Sequence, residues 1–255
     1  MIYHLQRLAF SLAIAFCCSL ALTTPVNAET QASDENWEFG GAAYLWGAGV
    51  EGTDSAGDEI DVSFSDIVKD LDGGLMGIIS ARKGKWTLLA DIIYLSINQE
   101  TSSTANIIGV PEKVYVDVKL EGFVSTLLAA YRVQESDMTS LDLLVGARYF
   151  RVDVDLDVDV GASKTKASDS GDVLDGIIGA QVLFDLSDRW YFSLYADVGV
   201  GDSKLTWQVW PGVGYRLDKV ELVAGYRHLA WETDEGDTIE DINFSGPMLG
   251  VKFRF

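Results

Sequence analysis

The chain ends in "GPMLGVKFRF" (residues 246–255), and this stretch decides how the rest of the sequence is interpreted. Its apolar side chains occupy every second position, at Leu249, Val251, Phe253 and Phe255. Two cations, Lys252 and Arg254, lie between them. A period of two is the pattern of a β-strand, whose successive side chains point to opposite faces. The last residues of soluble domains are usually loose and polar, whereas this pattern predicts a terminal strand with one apolar and one charged face.

The same alternation recurs along the whole chain. In "WYFSLYADVGV" (190–200), apolar Phe192 and Leu194 alternate with Ser193 and Tyr195. About ten such segments are centred near residues 42, 78, 90, 122, 147, 179, 195, 211, 226 and 250. The connections are alternately short (83–85, 134–140, 187–189, 218–219) and long and polar (51–72, 98–113, 159–171, 232–241), with 201–204 a short member of the second series. Short turns at one rim and long loops at the other are typical of outer-membrane barrels.

A soluble β-sandwich also shows alternation, so the second face of each strand decides between the two folds. In a sandwich we expect Lys, Glu and Thr on that face, but here it carries Gly, Tyr, Asp and Arg, which suit a narrow barrel interior. The apolar face repeatedly begins or ends in an aromatic residue, as the girdles of membrane barrels do. These residues are Trp37, Trp86, Tyr94, Tyr149, Trp190, Trp207, Tyr215 and Tyr226. The predicted fold is all-β: a closed antiparallel transmembrane β-barrel of about ten strands, with short periplasmic turns and longer extracellular loops.

Two prolines fit this prediction poorly. Pro211 and Pro247 fall inside predicted strands, where proline removes a donor from the hydrogen-bonded ladder. Each has a glycine beside it, Gly212 or Gly246, so we expect a β-bulge at both sites. If the strands are shorter than the apolar pattern indicates, the barrel has eight strands instead of ten.

The first 28 residues have the pattern of a secretory signal peptide. "LAFSLAIAFCCSLAL" follows a short segment with one arginine, and Val26-Asn27-Ala28 has the small-residue form of a cleavage site. We therefore predict a signal peptide over 1–28 and a barrel over 29–255. Both cysteines, Cys17 and Cys18, lie in the signal segment, so the barrel is predicted to contain no disulfide and no thiolate site.

Composition excludes several classes of function. The formal net charge is −20, whereas a nucleic-acid-binding surface requires excess positive charge. No apolar run of about 18 residues follows the signal segment, so no transmembrane helix is predicted. Phosphate-binding loops, zinc motifs and serine nucleophile elbows are missing, so we expect no cofactor and no resident metal.

The strand motifs "GVGYR" (212–216) and "VAGYR" (223–227), together with the terminal Phe255, carry a family resemblance. Over 29–255 the chain resembles the outer-membrane β-barrels of Gram-negative bacteria, in particular small barrels grouped with the OmpA and OmpW types. The resemblance implies export through the periplasm to the outer membrane, and contact with membrane lipids and lipopolysaccharide. It also implies that the terminal strand, with Phe253 and Phe255, is the signal read by the outer-membrane assembly machinery.

In two segments the apolar residues change sides. Residues 123–133 and 141–149 are apolar at odd positions, whereas 114–120 and 152–160 are apolar at even positions. Straight strands explain this if the exterior is lipid below Phe123 and Tyr149 and water above them. The two strands would then continue beyond the bilayer as a β-ribbon, with Val114 opposite Val160 and Leu120 opposite Val154. Its apolar inner surface, a predicted vestibule, includes Val116, Val118, Val154 and Leu156.

An apolar surface of this kind requires a cover. The segment "VSFSDIVKDL" (62–71) supplies a candidate plug, a short helix capped by Ser65. Phe64, Ile67 and Val68 would provide its apolar contacts.

The inward positions carry many charges, which must be paired where they are buried. The predicted lumen ion-pair network comprises Glu38, Asp91, Arg132, Arg148, Asp175, Asp197, Arg216, Glu221, Arg227 and Arg254. Within it, we expect Arg216 to meet Glu221 and Trp210 to stack on Arg227. The network is interpreted as a structural filling of a narrow barrel, and an ion-selecting constriction is the alternative.

Two further features were considered as sites. The carboxylates of "DVDLDVD" (153–159) lie in a line and do not surround an ion as a calcium site does, so we expect only loose association with divalent cations.

His228 faces outward at a girdle position. Some outer-membrane lipid A deacylases pair such a histidine with a serine two residues later, but that position here is Ala230.

The sequence thus predicts a non-enzymatic integral outer-membrane protein with a surface or envelope-integrity role, a side-chain-filled lumen and a loop plug. The alternatives are a narrow channel or carrier for small apolar compounds, and then a lipid-modifying or proteolytic barrel.

Overall fold

A computed structural model describes residues 36–54, 59–107, 110–160, 163–233 and 239–254. The predicted signal peptide (1–28) and Phe255 lie outside this part of the chain. The described elements are β1 (Glu38–Trp46), β2 (Gly49–Asp54), β3 (Glu59–Val62), α1 (Phe64–Lys69), β4 (Leu71–Lys83), β5 (Trp86–Ile107), β6 (Val110–Glu135), β7 (Thr139–Val160), β8 (Ser163–Asp185), β9 (Trp190–Gly201), β10 (Leu205–Arg216), β11 (Val220–Glu232) and β12 (Ile239–Arg254). Within these ranges, no helix is long and apolar enough to cross a membrane.

Ten antiparallel strands, β1 and β4 to β12, form a closed barrel. The barrel closes where β1 pairs with β12, from Gly40 opposite Arg254 to Trp46 opposite Met248. β2 continues this seam by pairing with the first half of β12, and β3 forms a hairpin with β2. The predicted closed antiparallel barrel of ten strands is confirmed, and the alternative of eight strands is wrong.

The bulges expected at the two prolines are absent from the described ladders. Around Pro211 the pairing of β10 with β11 is interrupted, but it resumes in the same register from Val209 opposite His228 to Gly212 opposite Gly225. Pro247 lies where β12 leaves β2 and joins β1, and its carbonyl accepts a hydrogen bond from the Gly47 N–H (2.8 Å). Proline has no N–H to donate to a neighbouring strand. None is needed here, because the strand beside β12 is interrupted between the end of β1 and the start of β2.

An apolar belt surrounds the barrel. Leu45, Leu75 and Ile79 are 77%, 65% and 64% exposed, which is characteristic of side chains solvated by hydrocarbon. Aromatic contacts frame the belt at both rims: Trp86–Tyr131 (4.9 Å) and Trp190–Tyr215 (4.8 Å) near the short turns, and Phe123–Tyr149 (6.3 Å) at the other rim. A closed barrel with such a belt is the architecture of outer-membrane proteins, and the outer membrane is where this chain resides.

Four strands extend beyond the bilayer as one sheet. β5, β6, β7 and β8 contain 22, 26, 22 and 23 residues, whereas β9 and β10 contain 12 each. β4 leaves β5 at Leu71 opposite Ile97, and β9 leaves β8 at Asp175 opposite Gly201. We call the part beyond these pairs the extracellular sheet (β5 98–107, β6 110–121, β7 152–160 and β8 163–174).

The predicted register of the extracellular sheet is confirmed. Val114 lies opposite Val160, and Leu120 lies opposite Val154. The strands therefore run straight through the membrane boundary, so the side that faces lipid below this boundary faces water above it.

Candidate functional site

Arg227 on β11 occupies the middle of the barrel interior and is 1% exposed. Its guanidinium pairs with Asp91 (2.8 Å) and donates to the Tyr44 hydroxyl (3.0 Å) and twice to Gln208 Oε1 (2.9 and 2.7 Å). The Tyr44 hydroxyl donates in turn to Asp91. The guanidinium also lies 4.8 Å from the ring centroid of Trp46. These contacts link β11 to β1, β5 and β10, so Arg227 ties opposite walls of the barrel together.

A second buried arginine, Arg148 on β7, lies in another cluster. It pairs with Asp197 (2.6 Å) and donates to Thr206 (3.1 Å) and Thr126 (3.4 Å), and the side chains of the ion pair are both 0% exposed. The Tyr195 hydroxyl also donates to Asp197. The bonds from Arg148 and Tyr195 both go to Asp197 Oδ2, whereas Asp197 Oδ1 is buried without a hydrogen-bond partner among the described residues. The ion pair to Arg148 is what makes burial of this carboxylate tolerable.

Near the periplasmic rim two further arginines form ion pairs. Arg132 binds Asp142 through two nitrogens (2.7 and 3.0 Å). Arg216 lies opposite Glu221 in the register, as predicted, but its guanidinium donates to Asp185 (2.6 Å). The expected choice of partner for Arg216 is therefore corrected, although the residue does belong to the network.

Glu221 has other partners. It accepts a hydrogen bond from the Tyr191 hydroxyl (2.8 Å) and lies 3.4 Å from the Lys252 ammonium. The ring of Tyr191 passes over Gly214 so closely that a Cβ there would meet a ring carbon at 2.0 Å. The glycine of the "GVGYR" motif thus makes room for an aromatic ring that reaches from β9 over β10 to Glu221 on β11.

Two members of the predicted network, Glu38 and Asp175, need correction, and a third, Arg254, is not tested. Glu38 has inward parity but is exposed at the start of β1, away from the buried clusters. Asp175 is fully buried, yet it accepts hydrogen bonds from the Ser203 N–H (3.0 Å) and hydroxyl (2.8 Å) instead of an arginine. The side chain of Arg254 lies outside the described residues, and only its backbone place in β12 is given.

Above the arginines, aromatic rings close the extracellular end of the lumen. We call Trp46, Phe150, Trp231 and Phe244 the aromatic seal. Phe150 and Trp231 stack at 4.8 Å, Trp231 meets Phe244 at 6.1 Å, and Phe244 meets Trp46 at 6.3 Å. Trp231 is 1% exposed. Beneath the seal, Arg148 and Arg227 are buried as well, at 0% and 1% exposure.

The sequence analysis missed the aromatic seal. The period-two alternation does place Trp231 and Phe150 on the inward face of their strands. The sequence does not show where each strand ends, so it does not show that the two rings lie at the same level. The ring that lies over Arg227 belongs to Trp46, so the expected stacking of Trp210 on Arg227 is wrong. Trp210 instead packs against both buried apolar clusters of the lumen.

The inner face of the extracellular sheet is apolar, as predicted. Val116, Val118, Val154 and Leu156 are all half-buried there. Phe150, two residues before Val152 on β7, packs against the buried cluster that contains Trp46 and Trp231.

The segment predicted as a plug does contain a helix, α1, but its contacts differ from those expected. Ile67 is buried, whereas Phe64 and Val68 are 45% and 47% exposed. The Phe64 ring lies against Gly47 at the junction of β1 and β2. Neither buried apolar cluster of the described barrel contains a residue of α1.

Ser63, and not Ser65, caps α1. The Ser63 hydroxyl accepts from the Asp66 N–H (3.3 Å), which is the N-cap bond, and donates to the Asp66 carboxylate (2.6 Å). Lys69 also donates to Asp66 (2.7 Å), and these hydrogen bonds lower the pKa of the Asp66 carboxyl.

The outer face of the extracellular sheet carries the acidic run. Three of its carboxylates form ion pairs: Arg151–Asp153 (2.6 Å), Lys166–Asp157 (2.5 Å) and Lys164–Asp159 (2.7 Å). The hydrogen bond from Arg151 lowers the pKa of Asp153. The same strands line a polar cleft of about 420 Å³ that includes Asp117 and Lys119. Across the described ranges, no three His, Cys, Asp or Glu side chains converge as a metal site requires.

His228 has a serine partner that the sequence analysis did not find. His228 and Ser245 are register partners on β11 and β12, and His228 Nδ1 is hydrogen-bonded to Ser245 Oγ. The Trp207 ring packs 4.4 Å from the imidazole. The residue two positions after His228 on the same strand is Ala230, and the neighbouring strand supplies the serine instead.

Comparisons with known proteins concern the fold alone. No family model matches the chain, and no curated protein matches it. Among solved structures, the chain is similar to the attachment invasion locus protein Ail of Yersinia pestis (12% identity, 87% of this chain and 99% of that one, TM-score 0.38). It is also similar to the translocator domain of the autotransporter NalP from Neisseria meningitidis (13%, 99% and 96%, TM-score 0.45) and to the toluene transporter TodX of P. putida (11%, 86% and 90%, TM-score 0.30).

Proposed function

We propose that this protein is a structural component of the outer membrane, serving envelope integrity with a lumen that conducts nothing. The observation that supports this proposal is the pair of fully buried arginines, Arg148 and Arg227, beneath the aromatic seal. Each has carboxylate and hydroxyl partners from other strands of the barrel.

A pore function would require these groups to separate. An ion passing Arg227 has to displace Asp91 or Gln208, and either change leaves a charge or polar group without its partner in a water-poor interior. The same ion has to pass Trp231, which is stacked on Phe150. A conducting lumen is therefore energetically unfavourable unless the seal moves as a unit.

Planar-bilayer recording tests this proposal. The wild-type protein should give no discrete conductance steps under an applied voltage. The variant Trp231→Ala with Phe150→Ala, which removes the stacked core of the seal, should give larger or more frequent current events. Leu127→Ala, which changes a lipid-facing side chain, is the matched control. Reproducible single-channel steps from the wild type would contradict the proposal.

A second candidate function, a carrier for small apolar compounds, is favoured by the apolar inner face of the extracellular sheet. This vestibule is half-buried at Val118 and Leu156, and α1 would act as its plug by moving Phe64 and Val68 onto it. An uncharged environment-sensitive dye such as N-phenylnaphthylamine should then fluoresce with the wild type and lose that signal in Val118→Asp or Leu156→Asp. Equal signals from all three proteins would exclude the carrier.

The expected partners follow from location. We propose that the belt contacts outer-membrane lipids and that charges just above it, such as Lys119 and Arg151, contact lipopolysaccharide. Because Asp153, Asp157 and Asp159 are already paired, any association of divalent cations with this face is loose. The terminal strand, with Phe253 and Phe255, is proposed as the segment recognised by the assembly machinery.

A further inference from the structure

Ser245 and His228 form a polar pair on the outside of the barrel. On β12 the odd positions face outward, since Leu249 is 64% exposed and Met248 is 2% exposed. On β11 the even positions face outward, since Tyr226 is 51% exposed and Leu229 is fully buried. The hydrogen bond between Ser245 Oγ and His228 Nδ1 therefore lies on the surface and has no part in the lumen network.

The pair lies at the level of the membrane–water interface on the extracellular side. Trp207, the residue packed on His228, belongs to the upper aromatic girdle. Ser245 is eight residues from Phe253 at the periplasmic end of β12, or about 26 Å of strand at 3.3 Å per residue. Since strands in such barrels are tilted by about 35–45°, this length corresponds to most of the thickness of the apolar belt.

An apolar groove of about 700 Å³ lies lower on the outer surface, in the periplasmic half of the belt, with Trp190 and Tyr215 at its periplasmic end. Ala224 and Leu249 line its upper end and are register partners on β11 and β12. They lie four residues, or about 13 Å, below His228 and Ser245, so the groove does not reach the pair. The surface directly below the pair is the lipid-facing wall of β11 and β12, where Tyr226 is 51% exposed.

The neighbouring polar groups complete an arrangement suited to acyl transfer. Trp207 fixes the plane of the imidazole, which a general base requires. Asn243 is the next outward residue on β12, and its amide is a candidate donor to an oxyanion. Glu51 on β2 is the register partner of Asn243 and is exposed, so its carboxylate lies on the same outer face as His228 and would stabilise an imidazolium formed there.

From these observations we infer that Ser245 is a nucleophile, activated by His228, that hydrolyses carboxylic esters of fatty acyl chains on lipids of the outer leaflet. The inference goes beyond the structural role proposed above, because the site is on the lipid-facing surface. The ester would lie at the interface beside Ser245, with its acyl chain against the lipid-facing side chains of β11 and β12 below it.

The reaction is balanced with water as the second reactant. Ser245 Oγ bonds to the ester carbonyl carbon while its proton moves to His228 Nδ1. The carbon–oxygen bond to the lipid alcohol then breaks, and the alcohol oxygen takes the proton from Nδ1. A water molecule gives its proton to the same nitrogen and attacks the acyl–serine, which releases a fatty acid. The proton on Nδ1 returns to Ser245 Oγ.

Covalent labelling and lipid hydrolysis test the inference together. The protein extracted from outer membranes is treated with a long-chain fluorophosphonate, which labels activated serines, and the modified peptide is identified by mass spectrometry. We expect the adduct on Ser245, and we expect labelling at least 100-fold slower in His228→Ala, the usual scale for loss of a general base. Ser125→Ala removes another outward hydroxyl, on β6 opposite Tyr149, and should label like the wild type.

Two parallel assays identify which lipid is hydrolysed. One uses vesicles of diacyl phospholipid and the other uses aggregates of lipopolysaccharide, and released fatty acids are measured in each. Release in either arm that is abolished in Ser245→Ala supports the inference and identifies the lipid. Gel mobility of unboiled samples shows that each variant is folded. No adduct on Ser245 in folded protein, or no fatty acid from either lipid, would overturn the inference without affecting the proposal for the lumen.

Discussion

Replacing Arg227 by methionine should destabilise the barrel strongly. Arg227 is 1% exposed and donates to Asp91, Tyr44 and Gln208 at distances between 2.7 and 3.0 Å. Without it, the Asp91 carboxylate stays buried and keeps only the hydrogen bond from Tyr44. Breaking a buried pair by removing one partner costs about 3–5 kcal/mol, so we expect the free energy of unfolding to fall by that amount.

Removing both charges should be less damaging than the two single changes predict. Arg227→Met with Asp91→Leu leaves no unpaired charge, and buried pairs replaced by apolar residues are often neutral in stability. We therefore expect a coupling free energy of about 2–3 kcal/mol in a double-mutant cycle. Tyr44 and Gln208 lose a partner in the double variant, so some destabilisation remains.

The measurement is reversible urea unfolding in lipid vesicles, followed by tryptophan fluorescence, with the slope against urea checked for constancy. Lys166→Met, which removes an exposed ion pair with Asp157, is the control and should leave the midpoint unchanged. A loss below about 1 kcal/mol in Arg227→Met, or additive effects in the cycle, would show that the arginine does not hold the lumen together.

The remaining predictions concern the strand pairing, α1 and the terminus. Gly146→Ala should lower the free energy of unfolding by about 1–3 kcal/mol, because the new Cβ would lie 1.9 Å from the Leu127 carbonyl oxygen. The control is Gly122→Ala, whose Cβ enters open space and should be tolerated. Equal unfolding midpoints for the two variants would refute the close approach at Gly146. Because the pKa of Asp66 is lowered by Lys69 and Ser63, its contribution to α1 is present above the ordinary aspartate pKa of about 3.9 and is lost as pH falls through the lowered value. NMR signals of 64–69 should accordingly lose helical shifts only in acid, and Asp66→Asn should remove this dependence. Phe255→Ala should reduce the folded, heat-modifiable fraction in outer membranes, whereas Leu249→Ala on the same face should not; equal fractions would remove Phe255 from the assembly signal.

The strands and their faces were predictable because two constraints act together. Period-two alternation gives the face of every residue, and a short turn fixes the register of the two strands it joins. The turn at 136–138 joins β6 and β7 with Glu135 opposite Ser140, and a one-residue irregularity between Arg132 and Gln134 then gives the register in which Val114 meets Val160. Where both constraints apply, sequence reasoning reached the level of individual residue pairs.

Contacts across the lumen were not predictable in the same way. Arg148 on β7 meets Asp197 on β9, and Arg227 on β11 meets Asp91 on β5, so neither pair joins adjacent strands. Parity shows that all four side chains point inward, but their relative heights depend on the stagger of the closed barrel. Asp175 illustrates the consequence, since its partner Ser203 lies in the loop after β9, outside any strand pattern.

The histidine partner was missed for a related reason. β11 and β12 are joined by a long connection, 233–238, so no short turn fixes which residue of β12 faces His228. The cap of α1 was within reach, however. Ser63 and Asp66 have the spacing of a capping box, which was a stronger signal than the hydroxyl of Ser65.

The two proposals depend on separate parts of the molecule, and their energetics differ accordingly. Lumen charges are buried, so substitutions there change stability. Polar side chains at the membrane interface cost little, so the barrel accommodates Ser245 and His228 outside without support from the lumen. Ser245→Ala should therefore abolish fatty-acid release while changing the unfolding free energy by less than about 0.5 kcal/mol, as surface substitutions do. A large loss of stability in Ser245→Ala would instead indicate that its hydrogen bond to His228 is a structural link between β11 and β12.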